Sequence, residues 1–370
     1  MAEATTRSIP SLDGLRAGSI ALVIVGHCLA YLHGDAVGFP QKQLSELGQS
    51  GVDVFFVISG FLITHLLIRE QDATGSIRLG KFYFRRFFRI FPPFYVYLAV
   101  VALLALAGWV HQDLHAMASA ATYTWNYHPG GPSWVLAHTW SLSLEEQFYL
   151  LWPPCLALLG KAKSAYVAVG AVLFSPAIRF ITYLVAPSMR GNEWTMLHTR
   201  LDPIMCGCAM ALLWSNPAFH RWTARLLNPF VAALSIAYVA LAAPCLSTSF
   251  GARYDWAVGY SLRALLISAL LLYVVKKPAT PLGKFLNLPV VKHVGVISYS
   301  LYLWQQLFTG ANDRWFPFNI IAILVCAELS YLLIERPAFR ARDWFATRLA
   351  SESVLPAAAG MRVQGVRGEG

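Results

Sequence analysis

Val52-Asp-Val-Phe-Phe-Val-Ile-Ser-Gly-Phe-Leu-Ile-Thr-His-Leu-Leu-Ile68 is an apolar run in which only Asp53 and His65 can carry charge. A helix rises about 1.5 Å per residue, so such a run covers most of a ~30 Å hydrocarbon layer, and the flanking Arg69 can snorkel to the interface. Soluble cores hold apolar helices too, so one run does not decide the fold. Recurrence does. Comparable stretches lie at Ala17–Leu32, Phe94–Val110, Leu144–Leu159, Ala165–Val185, Leu201–Trp214, Pro229–Leu246, Trp256–Val275, Val294–Phe308 and Phe316–Ile334, which makes ten in all. Leu201–Trp214 is the shortest.

Composition agrees. Apolar residues make up 57% of the 370 positions and charged residues 13%, about half of the roughly 25% found in soluble domains. A mean hydropathy of +0.52 leaves no polar shell for a soluble core. The first run could pass for a secretory leader, but Gly26 and His27 interrupt it and nine more follow. All six cysteines (Cys28, Cys155, Cys206, Cys208, Cys245 and Cys326) fall in apolar stretches without paired loop spacing. Neither disulfides nor a zinc site is expected, and Cys206 and Cys208 read as small packing residues.

The expected fold is an all-α integral membrane protein: a bundle of about ten transmembrane helices forming one domain over 1–345, with a flexible cytoplasmic tail over 346–370. Direction follows from the basic residues. With the N-terminus cytoplasmic, the inside segments hold Arg7, Arg16, Arg69, Arg78, Lys81, Arg85, Arg86, Arg89, Lys161, Lys163, Arg221 and Arg225. They also hold Lys276, Lys277, Lys284, Lys292, Arg336, Arg340, Arg342, Arg348, Arg362 and Arg367, so 22 of 29 lie inside. Outside loops keep Lys42, Arg190, Arg253 and Arg314, while Arg179, Arg200 and Arg263 lie in or at the mouths of spans. Both termini are therefore expected in the cytoplasm. The net charge of +10 is spread between spans, which argues against a nucleic-acid partner.

An ionisable side chain inside a span is costly and is a functional candidate by default. Arg16 and His27 are eleven residues apart, about 20° past three full turns, so they share a face with His27 roughly 16 Å further along. A neutral imidazole there can take a proton from a hydroxyl; a packing histidine bonded to a neighbouring helix is the other reading. Arg86 and Arg89 share a face within Lys81-Phe-Tyr-Phe-Arg-Arg-Phe-Phe-Arg-Ile-Phe-Pro-Pro93. That cluster is either an interfacial helix touching anionic lipid or a cradle whose guanidinium forks hold phosphates.

In Trp140-Ser-Leu-Ser-Leu-Glu-Glu-Gln-Phe-Tyr-Leu-Leu-Trp-Pro153, Glu145 and Glu146 enter an apolar helix. Glu145, Tyr149 and Trp152 fall on one face, with Glu146 about 100° away. One carboxylate could orient His27, or both could simply be solvated at the helix mouth. Weaker features are Arg200 and Asp202, which could pair, and Ser298-Tyr-Ser-Leu-Tyr-Leu-Trp-Gln305. Glu335-Arg-Pro337 reads as a helix end, and Gly51 and Gly60 as points of close helix contact. There is no P-loop, dinucleotide fingerprint or HExxH site.

Taken in order, these segments resemble acyltransferase family 3, the membrane acyltransferases that modify sugars of lipopolysaccharide, exopolysaccharide, nodulation factors and some macrolides. The resemblance rests on Leu12-Asp-Gly-Leu-Arg-Ala17, the Arg16–His27 pair, Gly51–Thr64, the Arg86–Arg89 cluster and Trp140–Leu150. It continues through Arg200-Leu-Asp202, Ser298–Trp304 and Ile334-Glu-Arg-Pro337. It implies transfer of an acyl group from acyl-CoA, with acetyl-CoA the expected form, to a hydroxyl of a carbohydrate or lipid-linked glycan at a bacterial cytoplasmic membrane. His27 is then expected as general base or transient acyl carrier, with Arg16 and a carboxylate of Glu145 or Glu146 setting its charge and position. Arg86 and Arg89, with Arg85 beside them, are expected to hold the CoA phosphates, and no metal is needed. Gln305 stands where relatives often carry His, which puts proton handling at that position in question. No esterase-like domain follows, so a two-domain reaction is not expected of this chain alone. The rival class is a transporter relaying protons through a buried His/Glu/Arg set, but paired broken helices in two halves would mark it and no internal symmetry is seen.

Overall fold

Helices supply every regular element in the residues described by the computed structural model, which are 9–31, 39–128, 133–310 and 316–361. Arg7, Arg314, Arg362 and Arg367 of the charge count, with 362–370 of the expected tail, lie outside these residues, as does the side chain of Lys42. The chain begins with α1 (Leu12–Tyr31), α2 (Phe39–Thr74), α3 (Leu79–Leu106) and the short α4 (Leu114–Ala121) and α5 (Trp134–Ala137). Then come α6 (Thr139–Val185), α7 (Leu201–Leu213), α8 (Pro217–Thr223), α9 (Pro229–Ala237), α10 (Ala243–Phe250) and α11 (Ala252–Tyr254). The last third holds α12 (Tyr260–Lys276), α13 (Pro281–Leu286), α14 (Pro289–Val296), α15 (Ser298–Phe308), α16 (Phe318–Ser330) and α17 (Arg336–Met361). Among the described residues six continuous helices are long and apolar enough to cross a membrane: Glu46–Thr74, Leu79–Leu106, Trp134–Val185, Pro229–Phe250, Ala252–Lys276 and Phe318–Arg348. Leu201–Leu213 is a shorter apolar helix.

Glycine sets how closely the helices around α2 can approach. A Cβ at Gly60 would fall 1.9 Å from the Ile204 carbonyl oxygen, and one at Gly207 would fall 2.1 Å from that of Val57. These are reciprocal backbone contacts between α2 and α7 that only glycine allows. Gly51 does the same for α1, where a Cβ would meet the Ser19 carbonyl at 2.6 Å. The two glycines expected at close helix contacts are therefore found there. Cys208 packs in the same seam, its Sγ 3.6 Å from the Gly60 carbonyl.

Side chains along α2 give the direction of α6. Ser59 bonds Glu145, Thr64 bonds Trp152, and Asp72 pairs with Lys161. Both numbers rise together, so the first half of α6 runs parallel to α2. At Gly160 the backbone leaves helical geometry (φ 69°, ψ 174°). Beyond it Arg179 bonds Asp202, close to Arg200, which bonds Asp53 in the first half of α2, well before Ser59, Thr64 and Asp72. The chain has reversed, and the two apolar stretches read on either side of Lys161 run antiparallel. Glycine is needed at this corner because a side chain strains a positive φ.

Arg179, Arg200 and Arg263 are the largest fully buried side chains. Arg179 Nη1 lies 3.0 Å from Asp202 Oδ2. Arg200 pairs with Asp53, while Arg263 lies 3.4 Å from Asp53 Oδ2 and 3.6 Å from Asp255 Oδ1. The Tyr260 ring underlies all three guanidiniums, at 5.4, 3.9 and 5.5 Å. Three arginines thus meet three aspartates, so each desolvated cation has an anion to offset its burial. Here the sequence expectation needs correction. Arg200 and Asp202, two residues apart on a helix start, point to different faces and pair with α2 and α6 instead of with each other.

A second correction concerns Glu335-Arg-Pro337, which does not end a helix. The π-helical turn Tyr331–Glu335 carries α16 into α17. Such a turn reorganises the carbonyls that Pro337, lacking an N–H, cannot serve. Glu335 is buried there and accepts a hydrogen bond from Ser300.

Candidate active site

Five helices converge on a pocket of about 80 Å³. Arg16 comes from α1, Ser59 from α2, Arg86 and Arg89 from α3, Glu145, Glu146 and Tyr149 from α6, and Tyr302 from α15. Helical spacing brings these groups together: Arg86 and Arg89 are one turn apart, as are Glu145 and Tyr149. Ser59 donates to Glu145 Oε1 at 2.7 Å. The Arg86 guanidinium lies 4.7 Å from the Tyr149 ring and 5.8 Å from Phe82, within cation–π range. Arg16 reaches Asp13 at 3.5 Å.

Arg16, Arg86 and Arg89 also line a second, wider cavity of about 600 Å³. Arg69, Arg85 and Arg342 join them there against Asp13 and Glu70, so six arginines face two acids. The two spaces share a wall of three guanidiniums. Chemically, the outer basin suits a polyanion, and the inner pocket offers cations beside two carboxylates.

Deeper along α1 lies a second polar layer. His27 Nδ1–H donates to Gln305 Oε1 at 2.8 Å. A carbonyl oxygen can only accept, so this bond puts the proton on Nδ1 and leaves the Nε2 lone pair available. The Trp134 ring stands edge-on to the imidazole at 5.2 Å. Next to this pair, His138 Nδ1–H donates to Gln306 Oε1 at 2.6 Å. The Tyr302 hydroxyl connects the layers: it lies 2.5 Å from Ser141 Oγ in the pocket and donates to the His138 carbonyl at 3.2 Å.

Of the residues singled out from sequence, Arg16, Arg86, Arg89, Glu145 and Glu146 come together in one pocket, and Arg85 lies in the adjoining basin. His27 is not among them; it sits about three turns along α1 from Arg16. The partner expected for His27 was a glutamate, whereas Glu145 bonds Ser59 and His27 bonds Gln305. Gln305, read as a departure from pattern, is the side chain that fixes the His27 ring. His138 and Gln306 were missed altogether. The available signal was an ionisable residue a turn and a half before the apolar run that carries Glu145.

Long apolar helices folded around a buried Arg–Glu pocket, with a basic basin at its mouth, are the build of a membrane-embedded enzyme. The chain belongs to acyltransferase family 3: the family's model, an acyltransferase domain, matches residues 9–334. It is similar to the peptidoglycan O-acetyltransferase OatA of Listeria monocytogenes, with 29% identity over 364 residues covering 89% of this chain and 55% of that protein. It is also similar to the O-acetyltransferase OatA of Staphylococcus aureus, 28% identical over 361 residues covering 90% of this chain and 57% of that protein. The chain thus spans little more than half the length of these relatives. No solved structure matches it.

Proposed function

We propose that this protein transfers an acyl group, acetyl in the expected case, from acyl-CoA to a hydroxyl of an envelope carbohydrate or lipid-linked glycan. The observation that carries this reading is the pair of cavities sharing Arg16, Arg86 and Arg89. In the proposed arrangement the nucleotide and its phosphates occupy the basin, where guanidinium forks meet phosphate oxygens. The acyl-bearing arm passes the three arginines into the inner pocket, and Glu145 and Glu146 balance their charge when no donor is bound. His27, its tautomer set by Gln305, accepts the proton of the attacking hydroxyl at Nε2. The names of the relatives, one of them a peptidoglycan O-acetyltransferase, support a glycan as acceptor.

The same proposal includes ten crossings with both termini in the cytoplasm of a bacterial cytoplasmic membrane. The start of α1, the end of α2, the start of α3 and Arg342 of α17 meet at one basin, which supports that alternation. The test is reconstitution in lipid vesicles with labelled acetyl-CoA and peptidoglycan or polysaccharide fragments. The expected result is acceptor-dependent release of CoA with an ester on the sugar. Failure to esterify any glycan from any acyl-CoA, with folded protein, rejects the reading.

A further inference from the structure

Adjacent glutamines on α15 each hold one imidazole by its Nδ1: Gln305 holds His27 and Gln306 holds His138. Gln306 Oε1 also accepts the backbone N–H of His138 at 2.9 Å, so that ring is fixed twice. We infer that His138 is a second proton-handling residue of the transfer reaction, placed between the donor pocket and His27. The inference rests on the acyl-transfer reading above.

Three observations carry it. Among the described residues His138 Nε2 is buried without a well-formed hydrogen bond, with the Leu303 backbone beside the ring, a costly state that is retained where chemistry uses the atom. The residue is tied to the donor pocket, because its carbonyl accepts from Tyr302, whose hydroxyl meets Ser141 in the pocket wall. It is linked to His27 through the scaffold: adjacent residues of α15 hold the two rings, and Trp134, one turn before His138, packs edge-on to the His27 ring. The groups facing it are His27 from α1, Tyr97 from α3, Ser141 from α6, and Tyr302 and Gln306 from α15. Of these, only His27 changes charge near neutral pH.

The hydroxyl oxygen and the sulfur are bonded to one carbon at the moment of transfer, so the proton has only a short way to go. A second imidazole at that point gives it a path to the sulfur while His27 serves the hydroxyl. The hydroxyl proton passes to His27 Nε2 as the oxygen attacks the thioester carbonyl and the C–O bond forms. The C–S bond breaks with its electron pair leaving on sulfur. The proton moves from His27 to His138 Nε2 and on to the thiolate, giving ester and free thiol with both rings neutral again.

His138→Asn is the decisive variant, because its amide N–H can still donate to Gln306 while the second ring nitrogen is gone. Acceptor-dependent kcat should fall by about 10²–10⁴-fold, with the donor KM within about twofold of wild type. Gln306→Glu is the second variant. A carboxylate against Nδ1–H favours the protonated ring, so the acidic limb of the kcat–pH profile should move to higher pH. A packing role would leave that limb in place. Wild-type kcat in His138→Asn, or an unmoved profile in Gln306→Glu, overturns the inference. If instead the wild-type protein esterifies no acceptor, it is the acyl-transfer reading that fails, and the two failures are distinguishable.

Discussion

At the scale of single residues, the sharpest expectation concerns His27. Its Nδ1 is engaged by Gln305 and its ring by Trp134, so Ala removes the ring with its free Nε2, whereas Gln removes the basic nitrogen and keeps a polar side chain. His27→Ala should abolish transfer at normal expression and membrane insertion, and His27→Gln should be equally inactive, since Gln keeps hydrogen bonds but no basicity. Ester formation per folded protein is the measurement; wild-type rates in either variant remove His27 from the mechanism. Arg86 and Arg89 separate charge from shape. Were they only a lipid contact, Lys would replace them with little loss. As phosphate ligands they should not tolerate it, because Lys cannot reproduce the planar fork. The double Arg→Lys variant should raise the KM for acyl-CoA by roughly ten- to a hundred-fold, the equivalent of about 1.5–3 kcal/mol for a lost charged hydrogen bond, with the acceptor KM unchanged. A donor KM within about twofold of wild type would return the cluster to the lipid reading. Much of this pocket was legible in the sequence, because Arg16, Arg86 and Arg89 and the two glutamates are strong signals when they interrupt apolar runs. His138 was not legible: a histidine at a run's edge looks solvated until Gln306, far along the chain, is seen to hold it.

At the scale of elements, the apolar runs were readable while their partners were not. Most of each expected run falls on helix, although Ala107–Val110 lie beyond the end of α3 and Leu32 lies outside the described residues. The turn at Gly160 is marked in sequence by Lys161 and Lys163, which no apolar span should contain. The buried ion pairs were beyond reach, since Arg200 meets Asp53 across 147 positions and helical periodicity carries no information over that distance. Two consequences follow for stability. Gly60→Ala drives a Cβ into the Ile204 carbonyl, backbone against backbone, so α2 and α7 must separate. A loss of about 1–3 kcal/mol is expected from overpacking of this kind, visible as a lower thermal midpoint in detergent, and an unchanged midpoint would deny the close seam. Asp53→Ala should cost more, because it strips the shared anion from Arg200 and Arg263. Removing one partner of a buried ion pair costs about 3–5 kcal/mol, enough to reduce folded yield sharply.

At the scale of the whole molecule, the helices order their polar groups along one axis. Basin, arginine pocket, Ser141–Tyr302 bridge and histidine layer succeed one another along the direction of α1. Under the proposed reaction the basin faces the cytoplasm, where acyl-CoA is made, so orientation is the property most worth measuring. Single cysteines placed at Lys161, Arg225 and Lys284 in a background whose native cysteines are replaced should react with impermeant thiol reagents only from the cytoplasmic face. One at Arg190 should react only from outside. Lys161 is tied to Asp72 at the end of α2 that borders the basin, so its side and the basin's side stand or fall together. Arg225 is the more exacting position, because it follows α7. Thirteen helical residues rise about 20 Å, short of a ~30 Å hydrocarbon layer. In the proposed topology α7 nevertheless crosses, because it runs beside α2 from Asp53–Arg200 to the Phe61–Trp214 contact, and Lys276 caps the Trp214 ring at 4.2 Å. Labelling at Arg225 from outside would mean that α7 turns back within the membrane. Because Arg342 of α17 lies in the basin with the start of α1, one of the four spans after α7 would then also have to turn back for the basin to keep its place.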